Sequence, residues 1–220
     1  MHFLCKNLSM QVLVITNDAL REELLACAPA DDSVHFNFIQ HPGHYQGSAA
    51  PDACIDLLFD NTTDRINWLN GLGSPLVVIN AVATTLAGTD AGFVRINGWP
   101  GFLRRPLMEA AAVNESNRNK VEELFVLLGR KAEWVPDISG FLTARVVASI
   151  INEAFFALEE NISTEQEIDT AMKLGTNYPF GPFEWSEKIG LAAVYSLLAG
   201  LEKEESRYTP CKLLEKKALI

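Results

Sequence analysis

A chain of 220 residues, 48% apolar and 21% charged, has the composition of an ordinary globular protein with one or two cores. Its 18 basic and 28 acidic side chains leave a net charge of −10, which argues against nucleic acid and anionic membrane surfaces and makes any anionic ligand depend on a local basic cluster. The four cysteines, Cys5, Cys27, Cys54 and Cys211, form no CxxC pair, so neither a zinc site nor a dithiol motif is expected, and their scatter fits a reducing cytoplasm.

Met1 to Ser9 is too short and too polar for a secretory signal, and no apolar run reaches the ~18 residues of a spanning helix. Gln11 to Thr16, with VLVI at its centre, reads as a buried strand. Asn17 or Asp18 caps a following helix whose inner side is Leu20, Leu24, Leu25 and Cys27. Val34 to Gln40 alternates and is β-rich, a second strand that His41-Pro42-Gly43 breaks. His44 to Asp52 is loop, Cys54 to Phe59 a third strand, Thr63 to Leu72 a helix, and Pro75 to Asn80 a fourth strand. Phe93 to Trp99 and Leu107 to Val113 are strands five and six. Asn114 to Lys131 is an amphipathic helix with Val121, Leu124, Phe125 and Leu128 on one face, and Ala132 to Val135 is a last strand. This alternation predicts an α/β domain, 10–135, built on a mostly parallel sheet.

Pro136 marks the link to a second, all-helical domain, 136–220. A helix over 141–160 carries Val146, Val147, Ile150, Ile151, Ala154, Phe155 and Leu158 as a broad apolar stripe. Ser163 starts the next helix with Gln166 as its capping-box partner; Ile168, Ala171, Met172 and Leu174 form its inner side, and Gly175 closes it. Tyr178 to Phe183 reads as a rigid loop, Leu191 to Lys203 as a third helix, and the tail from Thr209 as a short helix docked by Leu213, Leu214 and Leu219.

Three segments of this second domain, GFLTARVVASIINEAFFALEE, EIDTAMKLGTNYPFGPFEW and IGL, resemble in order the C-terminal domain of 3-hydroxyacyl-CoA dehydrogenases. That domain carries a GF…R…NEA helix, an IDTAMKLG helix and a YPxGPFE loop. The resemblance covers Pro136 to Leu191, with a looser match to Leu214. It implies a Rossmann-like N-terminal domain, NAD as cofactor, a role in fatty acyl-CoA metabolism, and a homodimer formed through the helical domain.

The N-terminal half departs from that pattern. The family follows its first strand with GxGxxG, whose bare backbone admits a pyrophosphate to the helix N-terminus. Here the turn is Thr16-Asn17-Asp18-Ala19-Leu20-Arg21, with no glycine and with a carboxylate where the anion belongs. The second strand ends in Gln40-His41 rather than in an acid for the ribose, and the stretch between strands two and three is much shorter than in the family. The expectation is a shortened Rossmann-like domain that does not bind NAD in the usual way.

The catalytic pattern departs too. FVRINGWP resembles the family strand that ends in HFFNP, and Asn97 falls where the histidine base belongs. RPLMEAA resembles KLVEV, so Glu109 falls on the glutamate that orients that histidine. Thr84 falls on the family's serine, and Ala144 on its asparagine. Arg145 keeps its place, as a tie for the linker. Arg104-Arg105 is the best basic cluster for a coenzyme A phosphate, or else a solvated turn. His41 and His44 suggest a metal pair only weakly, and His2 and His35 have no Ser or Cys elbow nearby. Three readings stay open: a degenerate, dehydrogenase-like protein, a working NAD-dependent dehydrogenase, and an interaction module with no small-molecule site.

Overall fold

The structure is a computed structural model, and it describes residues 9–29, 33–87 and 92–220. His2, Cys5 and the segment 1–8 lie outside the described residues. The chain divides into an α/β unit, running up to Ala81 and over 85–137, and a helical unit made of 82–84 and 138–220.

In the α/β unit, β1 (Met10–Ile15) is buried over its last four positions because it lies between two neighbours, β2 (Val34–Ile39) and β3 (Ala53–Asp56). β4 (Val77–Asn80), β5 (Val94–Ile96), β6 (Leu107–Ala112) and β7 (Lys131–Trp134) complete a seven-stranded sheet of order β2-β1-β3-β4-β5-β6-β7. Every pairing is parallel except β5 with β6. Successive residues of a strand point to opposite faces, so the sheet feeds two cores. Val12, Val14, Ile55, Val78 and Val94 pack with Leu20 and Leu24 of α1 (Asp18–Leu25) and with Val121, Leu124 and Phe125 of α3 (Glu115–Leu127). Leu13, Ile15, Cys54, Val77 and Ile79 pack on the other face with Leu69 of α2 (Thr63–Gly71). Burying a side chain the size of Leu24 or Phe125 contributes roughly 1.5–3 kcal/mol, so these faces hold the unit together.

Among the described residues, β2-β1-β3-β4-β5 follow the dinucleotide-binding order 3-2-1-4-5-6 without its outermost strand at one end, and β6 and β7 extend the sheet at the other. The chain leaves β2, crosses over β1 in residues 40–52 with only a 3₁₀ turn at Pro42–His44, and enters β3. Tyr45 plugs this crossover: its ring meets Trp68 of α2 edge-on at 6.3 Å, and its hydroxyl donates to the Ala49 carbonyl at 2.9 Å. Gly47 passes so close beneath the Tyr45 hydroxyl that a Cβ would lie 2.3 Å from it. Asp52 then clips the crossover to β1, donating its N–H to the Gln11 carbonyl and accepting the Gln11 N–H at 2.7 Å.

In the helical unit, α4 (Thr143–Glu159) buries Ala144, Val147, Ala148, Ile151, Ala154 and Phe155, whereas Val146 of the expected stripe is 45% exposed. α5 (Glu165–Thr176) is capped by Thr164 with Glu167 rather than by Ser163 with Gln166, because Thr164 and Glu167 exchange both cap bonds; Ser163 donates to the same Glu167 carboxylate. It closes on Asn177, left-handed at φ 56, and not on Gly175. Ala171 and Leu174 do not face inward; Leu174 is 83% exposed, and Asp169 is the buried residue of this helix. α6 (Pro182–Ile189) was not expected from the sequence: two prolines read as a loop, but Pro182 occupies the first helical turn, where a missing N–H costs nothing. α7 (Leu191–Glu202) follows, then α8 (Lys212–Ala218), docked by Leu214, while Leu219 stays exposed.

This packing gives the motif residues physical jobs. Asp169 caps α6 from a different helix, accepting the N–H groups of Phe183 at 2.8 Å and Glu184 at 3.1 Å. Its carboxyl lies over Gly181, where a Cβ would sit 2.3 Å from it. Glu184 accepts the Gly181 N–H at 2.9 Å and pairs with Lys173. Asn152 of α4 pins the tail, donating to the Thr209 carbonyl at 2.9 Å and accepting the Cys211 N–H at 2.8 Å. Arg145 donates to the Ser139 carbonyl at 2.6 Å, which ties down the entry to α4.

Candidate active site

β5 is only three residues long, and all three are buried. Its antiparallel register with β6 pairs Ile96 with Ala110, so the next residue, Asn97, meets Glu109. The Asn97 N–H donates to the Glu109 carbonyl at 3.1 Å. Their side chains also meet: Asn97 Nδ2 donates to Glu109 Oε2 at 3.0 Å, with Asn97 2% exposed and Glu109 half-buried. The two residues that the sequence singled out as base position and orienting acid therefore form one hydrogen-bonded pair. A carboxamide in that pair donates to the carboxylate as a ring N–H would, but it takes no proton near neutral pH.

The loop after Asn97 is fixed by Asn80 at the end of β4. Asn80 Oδ1 accepts the Gly98 N–H at 2.9 Å, and its Nδ2 donates to the carbonyls of Leu57 and Gly98, each at 3.2 Å. A side chain at Gly98 would press its Cβ to 2.7 Å from Asn80 Cγ, so only glycine fits there. In the sequence Asn80 stood only as the end of a strand; its signal was a polar residue closing an otherwise apolar run.

Arg104 and Arg105 differ in their surroundings. Arg104 is exposed, and its carbonyl accepts the Cys27 thiol at 3.3 Å. Arg105 is half-buried, with its guanidinium 4.4 Å above the Phe102 ring. Burial draws the Arg105 pKa down, and the charge of Glu109 opposes that shift. Arg105 thus lies in the field of the Glu109 carboxylate. Thr84 is half-buried in the 82–84 stretch, which joins the helical unit through a bond from the Gly140 N–H to the Val82 carbonyl at 2.7 Å. Ala144 is fully buried in the first turn of α4 and offers only a methyl group. His41 accepts the Gly43 N–H on Nδ1 at 3.1 Å, and His44 lies edge-on to it at 6.1 Å. Among the described residues no group of three His, Cys, Asp or Glu side chains could hold a metal.

The first turn of α1 answers whether a dinucleotide fits. Asn17, extended at φ −95 and ψ 173, turns its Oδ1 back onto the Leu20 N–H at 2.9 Å. Thr16, 3% exposed, donates its hydroxyl to the Asn17 carbonyl at 3.0 Å. Asp18 adds a carboxylate in the first turn. One donor that a pyrophosphate would use, the Leu20 N–H, is met from within, and an anion there faces a like charge. The residues present do not fit NAD in the family's manner.

One further charged group at the carboxyl ends of the strands escaped the sequence reading. Asp56, fully buried at the end of β3, pairs with Arg65 Nε of α2 at 2.8 Å and accepts the Leu58 N–H at 3.0 Å. Burial pushes its carboxyl up to about 6, and the Arg65 charge opposes that rise. Its signal was a single acid inside an apolar strand.

Residues 140–219 match the family model of the 3-hydroxyacyl-CoA dehydrogenase C-terminal domain. The chain is 43% identical over 114 residues to a 3-hydroxyadipyl-CoA dehydrogenase of Escherichia coli, a match that covers 50% of this chain and 24% of that protein. It is 35% identical over 181 residues to a probable 3-hydroxybutyryl-CoA dehydrogenase of Bacillus subtilis, covering 75% of this chain and 63% of that one. The chain thus spans less than two thirds of the length of either relative. In fold it is similar to the crystal structure of an (S)-3-hydroxybutyryl-CoA dehydrogenase from Ralstonia eutropha, with a TM-score of 0.70 at 18% identity, over 94% of this chain and 92% of that one. Over residues 140–219 the chain thus carries the C-terminal domain of the 3-hydroxyacyl-CoA dehydrogenase family, and its mostly parallel seven-stranded sheet and helical unit are similar in fold to a solved member.

Proposed function

We propose that this chain is a 3-hydroxyacyl-CoA dehydrogenase-like protein of fatty acyl-CoA metabolism that is catalytically impaired and does not bind NAD in the usual way. One observation carries the proposal: the hydrogen bond from Asn97 Nδ2 to Glu109 Oε2, which keeps the geometry of a base and its orienting acid while removing the base. Loss of a general base lowers a rate about 10²–10⁴-fold. Ala144, with no polar atom where the family has an asparagine, supports the same reading. The ligand is an acyl-CoA, and the protein is a homodimer formed through the helical unit.

The test is direct. Purified protein with NAD and 3-hydroxybutyryl-CoA forms no NADH above a protein-free control; steady turnover would overturn the proposal. Acetoacetyl-CoA raises the melting temperature, since a ligand at about 100 times its dissociation constant adds roughly 2.7 kcal/mol. Light scattering reads the dimer. The second reading, an active NAD-dependent 3-hydroxyacyl-CoA dehydrogenase, is favoured by the names that the relatives carry and by the retained Glu109. Turnover in the first assay would establish it. If there is no turnover and neither NADH nor acetoacetyl-CoA shifts the melting temperature, the interaction-module reading takes their place.

A further inference from the structure

We infer that α1 is sealed against dinucleotides by its own chain: Asn17 acts as a built-in occupant of the anion seat, and its carboxamide oxygen takes the Leu20 N–H that a diphosphate would have to take. The inference deepens the reading above, on which it rests, by assigning the loss of NAD binding to the turn at Asn17 and Asp18.

Four observations converge on it. Asn17 Oδ1 lies 2.9 Å from the Leu20 nitrogen, an ordinary strong length for this bond. Thr16, 3% exposed, fixes the approach by bonding the Asn17 carbonyl at 3.0 Å, so the cap is held from its own backbone. The wall beyond is gone as well: β2 is the outermost strand and ends in buried Ile39 and exposed Gln40, with no acid to hold a ribose. Asp18 then places a full charge beside the same donors. An incoming diphosphate would have to displace a cap that exerts no repulsion and accept a carboxylate that does. An N-cap asparagine also stabilises its helix by typically ~1 kcal/mol over alanine, so the seal contributes to folding.

The experiment follows the Leu20 backbone amide by ¹⁵N NMR. In the unaltered chain, NADH leaves the Leu20 and Asn17 resonances in place. In the variant Asn17→Gly with Asp18→Asn, inorganic pyrophosphate moves the Leu20 resonance saturably. Glycine at an N-cap costs only a few tenths of a kcal/mol relative to asparagine, so the variant folds, and circular dichroism checks that it does. A saturable Leu20 shift with NADH in the unaltered chain would overturn the inference. So would a folded variant whose Leu20 amide ignores pyrophosphate. NADH formation with a silent Leu20 would defeat the proposed function but not the seal, so the two fail separately.

Discussion

At the scale of single residues, Asn97 is the place to intervene. The variant Asn97→His sets an imidazole against Glu109, whose carboxylate favours the charged ring and should raise its pKa above the usual ~6.5. A raised folded-state value means that the stabilisation is fully present at low pH and is lost as pH rises through that value. Proton NMR of the ring reads the shift, and a value below ~6.5 would show that burial outweighs the Glu109 carboxylate and would refute the prediction. The same variant is expected to form no NADH, because the turn at Asn17 is unchanged. Asp56 makes a second prediction. Its carboxyl is raised to about 6 by burial, so folding favours the protonated form, and stability is lost as pH climbs from ~4 through 6. The variant Asp56→Asn should lack this loss, which amounts to roughly 3 kcal/mol for a rise of about two pKa units. Urea unfolding at several pH values, with parallel slopes for both proteins, would refute it. At this scale the sequence was legible only through motif position: Asn97 and Glu109 were named by alignment to a pattern, and their hydrogen bond depends on an antiparallel register that no periodicity announces. Asn80, Asp56 and Asp137 passed unread because a lone polar residue in an apolar strand does not name its partner.

At the scale of elements, the contrast between caps is measurable. Thr164 caps α5 at the surface, so Thr164→Ala should cost ~1 kcal/mol. Asp169 caps α6 from inside the unit and is 8% exposed; removing it leaves the buried Phe183 N–H and the part-buried Glu184 N–H without their acceptor. Asp169→Ala should therefore cost more, of order 2–4 kcal/mol from two lost charge-assisted bonds. Chemical denaturation compares them, and equal costs would show that the cross-helix cap carries no special weight. The long helices were legible in the sequence because a 3.6-residue repeat survives over many turns: Val121, Leu124, Phe125 and Leu128 are all buried as expected. α6 was not, because proline reads the same in a loop and at the start of a helix. Thr164 and Asn177 displaced Ser163 and Gly175 as the boundaries of α5 by a residue or two, the usual uncertainty where several residues nearby are competent to cap.

At the scale of the whole molecule, the α/β unit ends on a charge it cannot spare. Asp137 binds Arg95, whose side chain is fully buried in β5, at 3.0 Å, and also accepts the Leu86 N–H at 2.8 Å. Burial draws the Arg95 guanidinium down to about 10, and the Asp137 carboxylate opposes this. Asp137→Ala takes that carboxylate away from a buried cation, which typically costs 3–5 kcal/mol. Hydrogen exchange should speed up in β4 and β5 and stay unchanged in α4 and α7. Uniform acceleration across both units would contradict this. The mostly parallel sheet was readable from strand–helix alternation. The strand order and the reversed β5–β6 pair were not, because they are set by which neighbours meet in three dimensions.

The shortened crossover has a cost in colloidal behaviour. Dropping the outermost strand hands the rim of the sheet to VHFNFI, a segment with no lysine, arginine or proline to discourage a stranger from lining up alongside it. In concentrated solution this rim is the natural starting point for unwanted fibrous growth. A single lysine in place of exposed His35 should keep the protein in solution longer without touching the chemistry.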